Sequence, residues 1–195
     1  MTTTLVNFKM NKNTPAGYLE LILGCMFSGK TTKLLEIYNM YKICEVECCV
    51  VNYDKDKRYH EELLSTHDKK MIPCINVKHL REAVTDVNVA KYDVFLVNEG
   101  QFFVDVDEVV LDLVQKHGKK VYVCGLDGDY KQQTFGNLLN LIPHCDNYSK
   151  LHAICKVCKD GTPASFSKRI TSETDQEVIG SDNYIPVCRK CYISN

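Results

Sequence analysis

The sequence predicts an α/β fold: a P-loop core with a mostly parallel sheet flanked by helices, followed by a small ribbon domain clamped by cysteines. Three observations lead there. Short apolar runs of strand length alternate with segments whose apolar residues recur at helical spacing, from Tyr18 to Cys124. Gly24-Cys25-Met26-Phe27-Ser28-Gly29-Lys30-Thr31 completes the pattern G-x-x-x-x-G-K-[ST] between the first strand and the first helix. Beyond Leu151 the chain turns polar and carries two C-x-x-C pairs, Cys155/Cys158 and Cys188/Cys191.

Leu19, Leu21, Ile22 and Leu23 form the strand that enters the loop, and Leu34, Ile37, Tyr38 and Tyr41 mark the helix that leaves it. Cys48-Cys49-Val50-Val51 is a second strand, ending at the polar stretch Tyr53 to Tyr59, and Cys74-Ile75-Val77 is a short third. Leu80, Ala83, Val84 and Val87 predict a helix over His79 to Ala90, followed by the strand Val94-Phe95-Leu96-Val97. Val109, Val110, Leu113 and Val114 point inward from a helix running from about Asp105 to His117, and Val121-Tyr122-Val123-Cys124 is the last clear strand. Such alternation implies parallel pairing through right-handed crossovers, with ligands at the carboxyl ends of the strands. The expected organisation is a disordered tail over residues 1–17, a nucleotide-binding core over 18–150 and a metal-binding domain over 151–195.

The chain has 195 residues, enough for one core and an appendage, and 45% hydrophobic content suffices to bury a sheet. Lys and Arg number 24 against 25 for Asp and Glu, so no net positive field gathers a nucleic-acid backbone and a polynucleotide partner is disfavoured. The polar start lacks the apolar core of a signal peptide, and no window is long and apolar enough to span a bilayer. Eleven cysteines without a secretory signal point to a reducing compartment, the cytoplasm by default. Cys44, Cys48, Cys49, Cys74, Cys124 and Cys145 read as core residues, as does Cys25 within the loop.

The glycines of the phosphate loop let the backbone curl so that successive N–H groups converge on phosphate oxygens at the positive end of the new helix. Gly24, Met26, Phe27, Ser28, Gly29, Lys30, Thr31 and Thr32 are the candidate phosphate-binding residues. Lys30 reaches the β and γ phosphates, and Thr31 offers a hydroxyl to Mg²⁺. At the end of the strand 94–97, where such sites carry an acid, stands Asn98, followed by Glu99. Asn98 can orient a metal-bound water but adds no charge. Glu99 is the candidate general base, a carboxylate able to accept the proton of an attacking hydroxyl.

Cys155, Cys158, Cys188 and Cys191 can aim four thiolates at one tetrahedral ion, which leaves no open coordination position; the zinc would be structural. The intervening residues from Lys159 to Val187 hold little apolar mass, so clamping their ends orders a loop that cannot order itself. The long spacing keeps disulfide or redox use open. His152 is an alternative ligand, with a surface histidine as the plainer reading.

The phosphate loop, Asn98-Glu99-Gly100-Gln101-Phe102-Phe103, the segment from Leu126-Asp127-Gly128-Asp129-Tyr130 to Phe135-Gly136, and the terminal cysteine pairs occur in the order of one family. Across about residues 18 to 193 the chain resembles the compact thymidine kinases shared by animal cytosol, poxviruses and many bacteria. The resemblance implies a zinc-containing lasso that closes over the nucleoside, a homotetramer, transfer of the ATP γ-phosphate to the 5′-hydroxyl of thymidine or deoxyuridine, and feedback inhibition by dTTP. It assigns Glu99 as general base, Lys30 and Thr31 to phosphate and magnesium, and Asp56 and Arg58 near the phosphates, with Arg58 stabilising charge on the transferring group. Met26, Phe102, Tyr130 and Phe135 match positions around thymine and Tyr184 one that closes over it. Main-chain groups near Leu126 and around Val178, Ile179 and Gly180 read the base.

The chain departs from that pattern in several places. Asn98 replaces the usual aspartate, Cys25 a frequent proline, and Tyr130 a frequent phenylalanine. Lys131 to Thr134 lacks the basic-proline pattern of animal enzymes, and Gly180 to Tyr184 is one residue shorter. Two other readings fit parts of the sequence: a P-loop ATPase whose Glu99 activates water beside a zinc interaction module, and a weakly catalytic descendant retained for binding.

Overall fold

The structure is a computed structural model that describes residues 16–54, 63–65, 71–178, 180 and 182–194. Strand β1 (Tyr18–Gly24) runs into the phosphate loop, helix α1 (Lys30–Ile43) carries the chain back, and β2 (Cys48–Tyr53) returns alongside. Strands β3 (Leu63–Ser65) and β4 (Met71–Pro73) form an antiparallel pair, and β5 (Ile75–Val77) follows. After a 3₁₀ turn at Leu80–Glu82 come α2 (Asp86–Lys91), β6 (Val94–Val97), α3 (Val106–Leu111) with a π turn at Asp112–Lys116, and β7 (Lys120–Gly125). A 3₁₀ segment, Leu138–His144, leads to β8 (Asn147–Leu151).

The main sheet has six strands in the order β5-β2-β6-β7-β1-β8, every pairing parallel. Alternation within the strands loads both faces. Leu19, Leu21, Leu23, Val121 and Val123 face one core with Val106, Val109, Val110 and Leu113 from α3 and the following turn. Ile22, Val50, Leu96, Tyr122 and Cys124 face the other, against Leu34, Leu35, Ile37 and Tyr41 of α1. Each such leucine fully withdrawn from water contributes about 1.5–3 kcal/mol. From β1 the chain crosses toward β2, whereas from β7 it crosses the other way to β8. That reversal opens a crevice at the carboxyl ends of β1 and β7.

The terminal module pairs β9 (Ala153–Ile154) with β10 (Pro163–Ala164), and β11 (Phe166–Arg169) with β12 (Tyr184–Val187), both antiparallel, and ends in α4 (Arg189–Ile193). Its small core, Ala153, Cys155, Ala164, Val187 and Cys188, includes Cys25 from the phosphate loop.

Several expectations are corrected. The helix expected over His79 to Ala90 is two pieces. Thr85 breaks it, accepting a hydrogen bond from the Asn88 N–H at 3.2 Å and so capping α2. Val87, counted in the apolar period of that helix, is 72% exposed. The sheet has a further strand, β8, after the one read as last. Cys44 is exposed at the end of α1, and Cys48, Cys74 and Cys145 are only half-buried; Cys49, Cys124 and Cys25 are buried as expected. Residues 1–15 of the expected tail lie outside the described residues.

Candidate active site

The loop after β1 bends at two glycines, one set by want of room and one by its backbone conformation. Gly24 has φ +149°, and a Cβ there would lie 2.6 Å from the Leu151 carbonyl oxygen of β8. Gly29 has φ +87°, the left-handed conformation that ends the loop and starts α1. The first turn of α1 contains no acidic side chain, so the positive end of the helix is uncompensated. Lys30 is buried and its Nζ donates to the Cys25 carbonyl at 2.9 Å, arching over the loop. The buried Oγ of Ser28 finds no hydrogen-bond partner among the described residues. An orphaned hydroxyl, a curl of main-chain amides and an ammonium group fit a polyphosphate.

Thr31 Oγ1 donates to Asn98 Oδ1 at 3.4 Å across the end of β6. Both atoms are oxygens of the kind that suit a hard cation, so the pair fits Mg²⁺ although neither carries charge. Asn98 is held in turn by donating through Nδ2 to Asn52 Oδ1 at 2.8 Å. Glu99 follows in the left-handed region, φ 54° and ψ 44°, a conformation that costs a non-glycine residue about 1–3 kcal/mol. Its carboxylate accepts from Gln101 Nε2 at 2.7 Å, and Gln101 Oε1 accepts from the Leu126 N–H at 2.9 Å. Gln101, itself buried, therefore bridges the carboxylate and the end of β7.

One cleft of about 1130 Å³, counting its open mouth, joins these parts. Met26, Phe27, Ser28, Gly29, Lys30, Thr31 and Thr32 line the phosphate end, with Asn98 and Glu99 beside them. Phe102, Leu126, Tyr130, Phe135, Val178, Gly180 and Tyr184 line the other. Phe102 stacks on Tyr53, ring centroids 5.0 Å apart, and meets Phe135 edge-on at 5.2 Å. Gly24 shapes the loop from outside the cleft lining. Asp56, Arg58 and Ile179 lie outside the described residues. Tyr53, Gln101, Asp129, Ser167, Gln176 and Glu177 also line the cleft and were not singled out from sequence. Gln101 sits inside a motif quoted for other residues, and its neighbours Glu99 and Gly100 were its only local signal. Ser167, which accepts from the Met26 N–H at 2.9 Å, had none.

The sulfurs of Cys155, Cys158, Cys188 and Cys191 lie within 4.8 Å of one another. Cys158 Sγ is 3.4 Å from Cys191 Sγ and 3.8 Å from Cys188 Sγ, near the ~3.8 Å edge of a tetrahedron with 2.3 Å metal–sulfur bonds and far beyond a disulfide bond. Burial pushes the Cys155 thiol up, but N–H groups from Cys158, Cys188 and Val157 outweigh it and bring the group down to about 6. The four can hold one metal ion. His152 is not among them; it is exposed, its Nδ1 3.1 Å from Ser165 Oγ. Among the described residues no helix is long and apolar enough to cross a membrane.

A parallel sheet with a phosphate loop after β1, a carboxylate after β6 and an aromatic pocket opposite defines a P-loop nucleotide-binding protein of the kinase type. Residues 17–192 match the family model described as thymidine kinase. A thymidine kinase of Yaba monkey tumor virus is 43% identical over 182 residues, 92% of this chain and 97% of that protein. One of vaccinia virus (strain Western Reserve) is 41% identical over 183 residues, 92% and 98% of the two. This chain belongs to the thymidine kinase family. Among solved structures, domain III of the Thermotoga maritima replication initiation protein DnaA matches 68% of this chain and 54% of that one at TM-score 0.40 and 17% identity, too slight a likeness to bear on function.

Proposed function

We propose that this chain transfers the γ-phosphate of ATP to the 5′-hydroxyl of thymidine, and of deoxyuridine, giving dTMP for DNA precursor salvage. The observation that carries the reading is the single cleft in which the phosphate loop and the aromatic pocket face each other across Glu99, in a chain of this family. Phosphoryl transfer asks little covalent chemistry of a protein; positioning and charge stabilisation do most of the work. Lys30 and the loop amides bind and orient the triphosphate. Thr31 and Asn98 would hold Mg²⁺, which would supply positive charge against the triphosphate. Glu99 accepts the proton of the attacking 5′-hydroxyl as that oxygen gains its bond to phosphorus. Phe102, Phe135 and Tyr184 enclose the base, and main-chain groups at Leu126 and in the 178–180 segment read its edge. Asp56 and Arg58 complete the phosphate site in this reading.

The cysteine cluster takes zinc, since four thiolates in tetrahedral array suit that ion and leave it no open position. A homotetramer in the cytoplasm, without a polynucleotide or membrane partner, completes the picture. Inhibition by dTTP belongs to the same reading, since one molecule carrying both thymine and a triphosphate would offer a group to each end of the cleft.

The test is to incubate the purified protein with ATP, Mg²⁺ and each deoxynucleoside in turn and to follow nucleotide product. Product from thymidine and deoxyuridine, and little from the others, is expected. ATP hydrolysis indifferent to the nucleoside would overturn the reading in favour of an ATPase, and silence with every nucleoside would leave a binding protein.

A further inference from the structure

Arg169 ends β11 directly opposite Tyr184 of β12, and it is only 9% exposed. Instead of a carboxylate it holds main chain. Nη1 donates to the carbonyls of Glu173 at 2.8 Å and Asp175 at 2.6 Å, and Nη2 to that of Gln176 at 3.3 Å. Nη2 also donates to the Tyr184 hydroxyl, which in turn donates to the Val178 carbonyl at 3.3 Å. The guanidinium carbon Cζ lies over the Tyr130 ring, 3.7 Å from its centroid, and 5.0 Å from that of Tyr184, two rings that line the cleft. From the core side Tyr130 Oη donates to the Thr174 carbonyl at 2.8 Å, and Gln176 Nε2 to Asp129 Oδ2 at 2.8 Å.

These contacts give one side chain control over the path of the segment 173–178. That segment has no strand or helix of its own, so nothing regular fixes its carbonyls. A planar fork with several donors can hold successive carbonyls in one plane while its face rests on an aromatic ring, which an ammonium group on a flexible stem cannot do. We propose that Arg169 is a specificity-determining positioning residue: it casts the 173–178 segment, and through Tyr184 the Val178 carbonyl, into the shape that reads the nucleoside base. The proposal rests on the reading of the cleft as a nucleoside-kinase site. Arg169 touches neither phosphate loop nor Glu99 in any described contact, so its effect falls on the base and not on the phosphates.

The test measures kcat and KM for thymidine, deoxycytidine and ATP in Arg169→Lys, Arg169→Met and Tyr184→Phe, together with zinc content. Thymidine KM is expected to rise on the order of 10–100-fold in both Arg169 variants, for two or more lost charge-assisted bonds, and by about 3–10-fold in Tyr184→Phe, for one relay hydroxyl. ATP KM should stay within about twofold and one zinc per chain should remain. The ratio of kcat/KM for thymidine over deoxycytidine should fall about tenfold, because a segment that has lost its shape binds both bases weakly and alike. A wild-type protein inactive on thymidine would sink the kinase reading itself. An active wild type whose Arg169→Lys variant keeps its thymidine KM and base ratio would overturn the proposal alone. So would a uniform loss on thymidine, deoxycytidine and ATP in Arg169→Lys and Tyr184→Phe, which marks a merely structural residue.

Discussion

Replacing Asn98 by aspartate puts the acid common in P-loop sites at the end of β6, and the structure says what that costs. Asn98 is 2% exposed and sits in a chain of amides. Its Oδ1 accepts from Thr31 Oγ1 at 3.4 Å and from Cys124 Sγ at 3.0 Å, while its Nδ2 donates to Asn52 Oδ1 at 2.8 Å. Asn52, also buried, donates onward to Asn76 Oδ1 at 3.0 Å. Aspartate keeps the acceptor toward Thr31 but sets a second acceptor against Asn52 Oδ1. Asn52 can rotate its amide to offer a donor, and then loses its own donation to Asn76. Either way one buried polar group goes unmatched, a penalty of about 1–3 kcal/mol, and the buried charge adds to it. Taking about 2 kcal/mol, a chain of this size melts about 4–8 °C lower. With Mg²⁺ and ATP bound the carboxylate faces a cation, so the deficit narrows and the Mg²⁺ concentration for half-maximal turnover falls several-fold. Thermal melts without added Mg²⁺ and in Mg·ATP, with a magnesium titration of turnover, measure both effects. Melting within about 1 °C of wild type without added Mg²⁺ would refute the amide pairing. An identical magnesium titration would remove residue 98 from the metal site.

Two further outcomes are expected. Glu99→Gln keeps the size of the side chain and removes the base, so kcat should fall on the order of 10²- to 10⁴-fold with ATP binding preserved; unchanged turnover would remove Glu99 from its role. Cys188→Ser, or treatment with a strong chelator, should release the ion and raise the KM for thymidine. Because the same module touches the phosphate loop through Met26 and Cys25, a smaller rise for ATP should accompany it; elemental analysis finding no zinc in the intact protein would refute the clamp.

What could be read from sequence was what local pattern dictates. The loop from Gly24 to Thr31 is legible because its glycines and its lysine answer to backbone geometry and phosphate charge within eight residues. The inner strands are legible because strands buried on both faces must be continuously apolar. β8 was not, because at the sheet edge it mixes Tyr148 and Lys150 with Leu151, and only its distant pairing with β1 makes it a strand. The helix expected from His79 ran too long because Val84 and Val87 kept the helical period while Thr85 was capping a new start. In the cleft, the residues missed share one feature. Tyr53 meets Phe102, Ser167 meets the Met26 N–H and Gln101 meets the Leu126 N–H, contacts made only when folding brings distant parts of the chain together.

The cysteine module is legible as a metal clamp, but its reach into the core is what bears on the choice between a nucleoside kinase and an ATPase with an appended interaction domain. An appended module needs only a linker; its own core would close on itself. Here Cys25, an interior residue of the phosphate loop, completes the apolar cluster around Cys155 and Cys188 and its thiol donates to the Ala164 carbonyl at 3.4 Å. The Met26 N–H, one position on, is fixed by Ser167 of β11. Tyr192 of α4 donates to the Tyr130 carbonyl at 2.7 Å, bracing the far wall of the cleft. The module thus touches the phosphate end and the base end of one cavity with atoms on either side of its four sulfurs. Cys155 and Cys188 are buried in the cluster that Cys25 completes, so an ion held there would brace the loop and the far wall together, as a two-substrate transfer requires and a docking ribbon does not.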